Sequence, residues 1–160
     1  MRISDDRYSR ERTRMELALR FLRHEARTQT IRAWTGLSDD RIRKLYRSYM
    51  SQARRQLPRH RGKSPHQIAY FTRSLRLQEE AALLASMLSL LGVVPAGPAS
   101  TAGAAALPGV ARGELLCQAF EAFLVCCLRH RSRSSMPCSS PLRSRVAISC
   151  ASATAAVAAA

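Results

Sequence analysis

Along the first fifty positions, apolar residues recur at helical intervals rather than at alternate ones. Met15, Leu17, Leu19, Phe21 and Leu22 punctuate a stretch from Glu11 to Ala26. Met15, Leu19 and Leu22 stand about one turn apart and make one apolar face, with Arg14, Arg20 and Arg23 opposite. A second short helix is predicted over Gln29–Trp34. Gly36 then interrupts the pattern, and Leu37 follows. Ser38 is a good N-cap for the next helix, and Asp39 and Asp40 suit its positive start. In that third helix Ile42, Leu45, Tyr46 and Tyr49 fall at i, i+3, i+4 and i+7. They face inward and leave Arg41, Arg43, Lys44 and Arg47 to face out.

Further on, Ser64-Pro65-His66-Gln67 combines an N-cap serine, proline at the first helical position and glutamine at the third. The helix it opens can run to Leu91, with Gly92 ending it and Pro95 beyond. Its apolar residues include Ile68, Phe71, Leu75, Leu84, Leu88 and Leu91. Its second half is apolar nearly all round, which predicts burial on more than one side. Arg112–Val125 reads as another amphipathic helix, with Leu115, Leu116, Ala119, Phe120, Phe123 and Leu124 on one face. No strand pattern and no internal repeat occurs.

These patterns predict an all-α fold: a helical bundle with an N-terminal helix-turn-helix, a long central helix and a disordered C-terminal tail. The division is 1–57 for the helix-turn-helix region, 58–63 for a basic linker and 64–93 for a long amphipathic partner or core helix. An Ala/Gly/Pro linker at 94–111 and an amphipathic helix at 112–128 follow. The segment 129–160 is low-complexity in Ser, Ala and Arg and has no acid and no aromatic residue. Such a composition cannot bury enough apolar surface to offset the entropy of ordering.

Charge sharpens the picture. The 160 residues carry 26 Lys+Arg against 11 Asp+Glu, a formal charge of +15. Residues 1–80 hold 20 of the bases and 9 of the acids, so a polyanion should dock on the first half. Almost every base is arginine, the better fork for phosphate and for guanine edges. The five cysteines, Cys117, Cys126, Cys127, Cys138 and Cys150, are odd in number. Met1–Tyr8 is polar and lacks the apolar core of a secretory signal. Both features favour the reducing cytoplasm over a secreted disulfide scaffold. The longest apolar run, Ala81–Val94, falls short of the ~20 residues that span a bilayer.

Function is carried by Arg27–Tyr49. A helix-turn-helix needs a bracing helix, a tight turn and a second helix with an apolar inner and a polar outer stripe. Gly36 supplies the turn, and Ile31, Leu37 and Leu45 form the small core between the helices. Arg41, Arg43, Lys44 and Arg47 are then the candidate DNA contacts, to groove or to phosphate. The same pattern also fits a helical hairpin with an ordinary glycine turn and a solvated basic face. Asp39 and Asp40 would repel phosphates at the leading end. Trp34, the only tryptophan, reads as a core or interface residue and not as a base-stacking platform. No catalytic constellation is visible: the chain has no Ser/His/Asp order and no glycine-rich phosphate loop, and its four histidines are dispersed. An enzyme is not expected.

Ala26-Arg27-Thr28-Gln29-Thr30-Ile31, Thr35-Gly36-Leu37-Ser38 and Arg41-Ile42-Arg43-Lys44-Leu45-Tyr46 together resemble the N-terminal region of the flagellar transcriptional activator FlhC family. Arg61-Gly62-Lys63-Ser64-Pro65 and the helix through Leu91 match that family's layout too. The resemblance covers about residues 12–127. It implies a cytoplasmic DNA-binding activator of flagellar genes, working in a hetero-oligomer with an FlhD-like protein. It would bind double-stranded promoter DNA and recruit RNA polymerase, away from any membrane. The family also carries a zinc site of two Cys-x-x-Cys pairs, and no such pair exists here, so no metal or other cofactor is expected. Two alternatives remain: a basic helical protein-interaction subunit with an acidic partner, and a nonspecific nucleic-acid or ribosome binder.

Overall fold

The computed structural model describes residues 3–52, 72–94 and 109–133, with side chains for 6–49, 72–94 and 109–127. Five helices lie among them, and no strand: α1 (Ile3–Arg23), α2 (Thr28–Thr35), α3 (Asp39–Gln52), α4 (Leu75–Leu90) and α5 (Val110–Arg133). The fold is all-α. The basic segment Leu57–Lys63, the helix start at Ser64–Gln67, Ile68, Phe71, the stretch 96–108 and the tail from 134 on lie outside the described residues.

α1 begins at Ile3, eight residues before the apolar spacing places it. Its first half is held by polar contacts instead. Arg10 pairs with Asp6 at 2.5 Å and Arg12 with Glu16 at 2.8 Å, both one turn apart. Such pairs each add about 0.2–0.5 kcal/mol to a helix, and a search for apolar periodicity does not register them. The buried stripe is Leu17, Ala18, Phe21 and Leu22, while Met15 is 36% exposed and Leu19 only partly buried. The expected Met15–Leu19–Leu22 face is therefore displaced around the helix. The reason is that α1 packs on α2, α3 and α5 together, which demands a broad apolar face. Arg20, expected on the outer face, turns toward α5.

α1 ends with Glu25 in the left-handed region at φ 58°. Glu25 N–H donates to Leu22 O and Ala26 N–H to Phe21 O, both at 3.0 Å. This crossed pair of bonds satisfies the last carbonyls and turns the chain into α2. The end of α4 repeats the device with glycine. Gly92 at φ 68° donates to Ser89 O, and Val93 donates to Leu88 O at 2.8 Å. Val93 thereby enters the core, fully buried. Its carbonyl accepts from Arg112 Nε and Nη2 at 3.0 and 2.5 Å, which ties the end of α4 to the start of α5.

The helix expected to run unbroken through Leu91 is interrupted at Ser74. Ser74 is extended (φ −145°, ψ 146°), and its hydroxyl accepts from Leu77 N–H at 3.3 Å. Serine offers the backbone this alternative to a continuing helix, a choice invisible in the spacing of the leucines. Burial of α4 is also one-sided: Leu77, Leu84 and Leu88 are buried, but Leu75 and Leu90 are 71% and 83% exposed. α5, in turn, runs on to Arg133, past the compositional change at Arg129 where the tail was expected to begin.

One apolar cluster joins all five helices. α5 closes on α1 and α2 at Gly113, where an added Cβ would lie 2.7 Å from Leu17 Cδ2 and 3.6 Å from Trp34 Cε3. Leu17 is fully buried and Trp34 nearly so, so neither has open space to retreat into. We expect Gly113→Val to destabilise the fold by about 1–3 kcal/mol through overpacking. Trp34→Ala should cost about 3–5 kcal/mol through the cavity it leaves. Denaturant midpoints measure both; an unchanged midpoint in either variant contradicts this packing.

Candidate nucleic-acid interface

α2, the turn and α3 form a helix-turn-helix unit. Ile31, Trp34 and Thr35 are the buried side of α2. Gly36 sits at φ 68°, ψ 12°, and its N–H donates to Arg32 O at 2.9 Å. A residue with a Cβ is strained in that conformation, so glycine is what permits the sharp change of direction. Thr35 locks the turn from inside. Its hydroxyl donates to Ile31 O at 2.6 Å and accepts from Leu37 N–H at 3.3 Å. Leu37 is thus driven into the core, 4% exposed. Ser38 O receives Ile42 N–H at 3.0 Å, which starts α3.

Ile42 is buried, and Leu45 and Tyr46 pack against the core. Tyr49 is half-buried and carries the Arg23 guanidinium 6.0 Å above its ring. The inward stripe is the one that the spacing predicts. Arg41, Arg43, Lys44 and Arg47 are all exposed. α3 packs chiefly on α1 and α2, so its outer stripe is left to solvent.

The four bases are not equivalent. Arg41 is ion-paired with Glu11 of α1. Arg43 pairs with Asp40 at 3.1 Å on its own helix. Lys44 and Arg47 have no acid partner among the described residues. Asp39 and Asp40, read from sequence as phosphate-repelling, are each engaged by an arginine: Asp39 lies 4.0 Å from Arg32 and Asp40 holds Arg43. Their field at the head of α3 is correspondingly reduced. Glu11 was missed as part of this surface. It lies thirty residues from Arg41 on another helix, and no local spacing reports such a pairing.

No family model matches the chain, and neither does any curated protein or solved structure.

A zinc site of the kind the resemblance implies needs thiolate or imidazole ligands that converge in a tetrahedron. Cys126 and Cys127 are consecutive on α5 and diverge by about 100° around it. Cys117 is buried, and desolvation pushes its thiol up to about 12, so it stays protonated. Among the described residues no group of three or more His, Cys, Asp or Glu side chains has the arrangement to hold a metal ion. Cys138 and Cys150 lie outside them. Also among the described residues, no helix is long and apolar enough to cross a membrane.

A charged clasp joins α1 to α5. Arg20 donates through Nε and Nη2 to both carboxylate oxygens of Glu121, at 2.8 and 2.7 Å, and also to Glu114. His24 Nε2 lies 2.8 Å from Glu121 Oε1, and its ring stands edge-on to Phe120 at 5.2 Å. The Arg20 hydrogen bonds pull Glu121 down to about 2 from its ordinary 4.5, against an opposing desolvation. A carboxylate with a depressed folded-state pKa stabilises the fold above its unfolded pKa and loses that contribution as pH falls. Stability should therefore decline as pH drops from about 4.5 toward 2. Glu121→Gln should be less stable than the parent chain at neutral pH and flatter across that window. Midpoints against pH for both proteins test this; parallel profiles contradict it.

Proposed function

We propose that the chain is a DNA-binding transcriptional activator subunit that reads promoter DNA with α3. The observation that carries this reading is the pairing of a glycine-turned helix-turn-helix with an outward face bearing Arg41, Arg43, Lys44 and Arg47. An α-helix presenting bases on its free face fits a major groove, and lysine and arginine there gain from counterion release at phosphates. The formal charge of +15 supplies the long-range attraction.

The resemblance of Thr35–Ser38 and Arg41–Tyr46 to the FlhC family gives the proposal its biological content. The chain acts in the cytoplasm with an FlhD-like protein in a hetero-oligomer, and it recruits RNA polymerase to flagellar promoters. Lys44 and Arg47 make the first phosphate contacts, being free of acid partners among the described residues. On docking, Arg43 exchanges Asp40 for a phosphate or base edge, and Arg41 offers its remaining N–H donors while still paired with Glu11.

Anisotropy titrations against promoter and random duplexes over a range of salt test the proposal. Promoter DNA should be retained at ~150 mM salt where random DNA is released. Lys44→Gln and Arg47→Gln should each make the slope of log affinity against log salt less steep by about one. Equal release of both duplexes would reduce the chain to an electrostatic binder. Failure to co-purify with an FlhD-like protein would remove the flagellar assignment.

A further inference from the structure

Resting on that reading, we propose that the polar half of α1 is a second DNA-contacting element, which grips backbone phosphates beside the groove that α3 enters. Ala18 and Phe21 mark the side of α1 that faces the bundle. Counting back from Ala18, Arg14, Glu11 and Arg7 fall four, seven and eleven residues earlier, the spacing of one helical face. The apolar stripe thus continues toward the N-terminus as a charged stripe, and the bundle no longer covers it. Residues 6–16 are exposed except Glu11, which is half-buried.

Glu11 is half-buried because it is ion-paired with Arg41, in the first turn of α3. That pair pins the polar half of α1 alongside the head of the recognition helix. Arg14 and Arg7 flank the pin, about one turn to either side. Neither has an acid partner among the described residues, whereas Arg10 and Arg12 are taken up by Asp6 and Glu16. Among the described residues, Arg7 and Arg14 are therefore uncompensated on the face of α1 that carries the Glu11–Arg41 pair. Two guanidiniums about 10 Å apart along a rigid helix match a polyanion with closely spaced charges better than an isolated carboxylate. Duplex DNA, with one charge per ~1.7 Å of axis, is such a ligand.

The test is a salt titration of the full-length chain on promoter duplex, comparing three variants of matched exposure. Arg7→Gln/Arg14→Gln should flatten the salt slope by about two. Arg12→Gln, on the opposite side of the same helix, should leave it unchanged. Lys44→Gln/Arg47→Gln reports on α3 separately. Equal losses from the Arg7/Arg14 and Arg12 changes would show a diffuse charge effect and overturn the proposal. Loss from the Lys44/Arg47 change alone would overturn it while leaving the recognition-helix reading intact. A parent chain that binds no duplex at low salt would end both. Circular dichroism melts of the three variants, expected to coincide with the parent's, show that the fold is unaltered.

Discussion

Leu17 of α1, Trp34 of α2 and Gly113 of α5 meet so closely that the glycine has no room for a side chain. That contact sets how closely α5 approaches α1 and α2. It fixes α2 between α1 and α5, and α2 in turn fixes the turn at Gly36 through the buried Thr35 hydroxyl. α3 then packs where α1 and α2 leave an apolar surface, and its basic stripe has only one way to face. The contact is steric and short-range, so it tolerates little adjustment: interiors packed to crystalline density transmit a displaced methylene instead of absorbing it. Placement of α3 is accordingly a consequence of core packing, with its charged residues as passengers.

A second constraint comes from electrostatics. A chain with 26 bases and 11 acids must fold without letting its arginines repel one another apart. It does so by placing its carboxylates where bases would otherwise collide. Asp6, Glu16 and Glu80 serve pairs along single helices, Asp40 holds Arg43, and Asp39 faces Arg32. Glu114 and Glu121 converge on Arg20, and Glu11 crosses from α1 to Arg41. The exposed pairs each contribute little. Among the described residues they leave Arg7, Arg14 and Arg23 on α1 and Lys44 and Arg47 on α3 without an acid partner. The same allocation that lets the chain fold thus shapes the charge of its exposed surface.

Most of the helices were legible in the sequence, because burial against a neighbour imposes a 3.6-residue period that any apolar residue records. α2, the glycine turn and the inward stripe of α3 emerged with nearly their true bounds, since each rests on local chemistry: a residue free to adopt positive φ, or leucine and isoleucine one turn apart. The features that escaped lack such a signature. The first half of α1 is held by ion pairs, Ser74 breaks a helix through its own hydroxyl, and α5 runs past a change of composition.

The sequence by itself determined that the chain is helical, that its first half is strongly basic, and that Gly36 begins a sharp turn before a helix with two unlike faces. Those are properties of residue type and spacing, fixed within a few turns of chain. The packing of distant helices was needed to turn Arg20 inward to Glu114 and Glu121 and to bring Glu11 to Arg41. Each of those outcomes depends on two helices approaching from distant parts of the chain. The strength of an ion pair is set by that approach and by the solvent it excludes, neither of which is written in the order of residues along one helix.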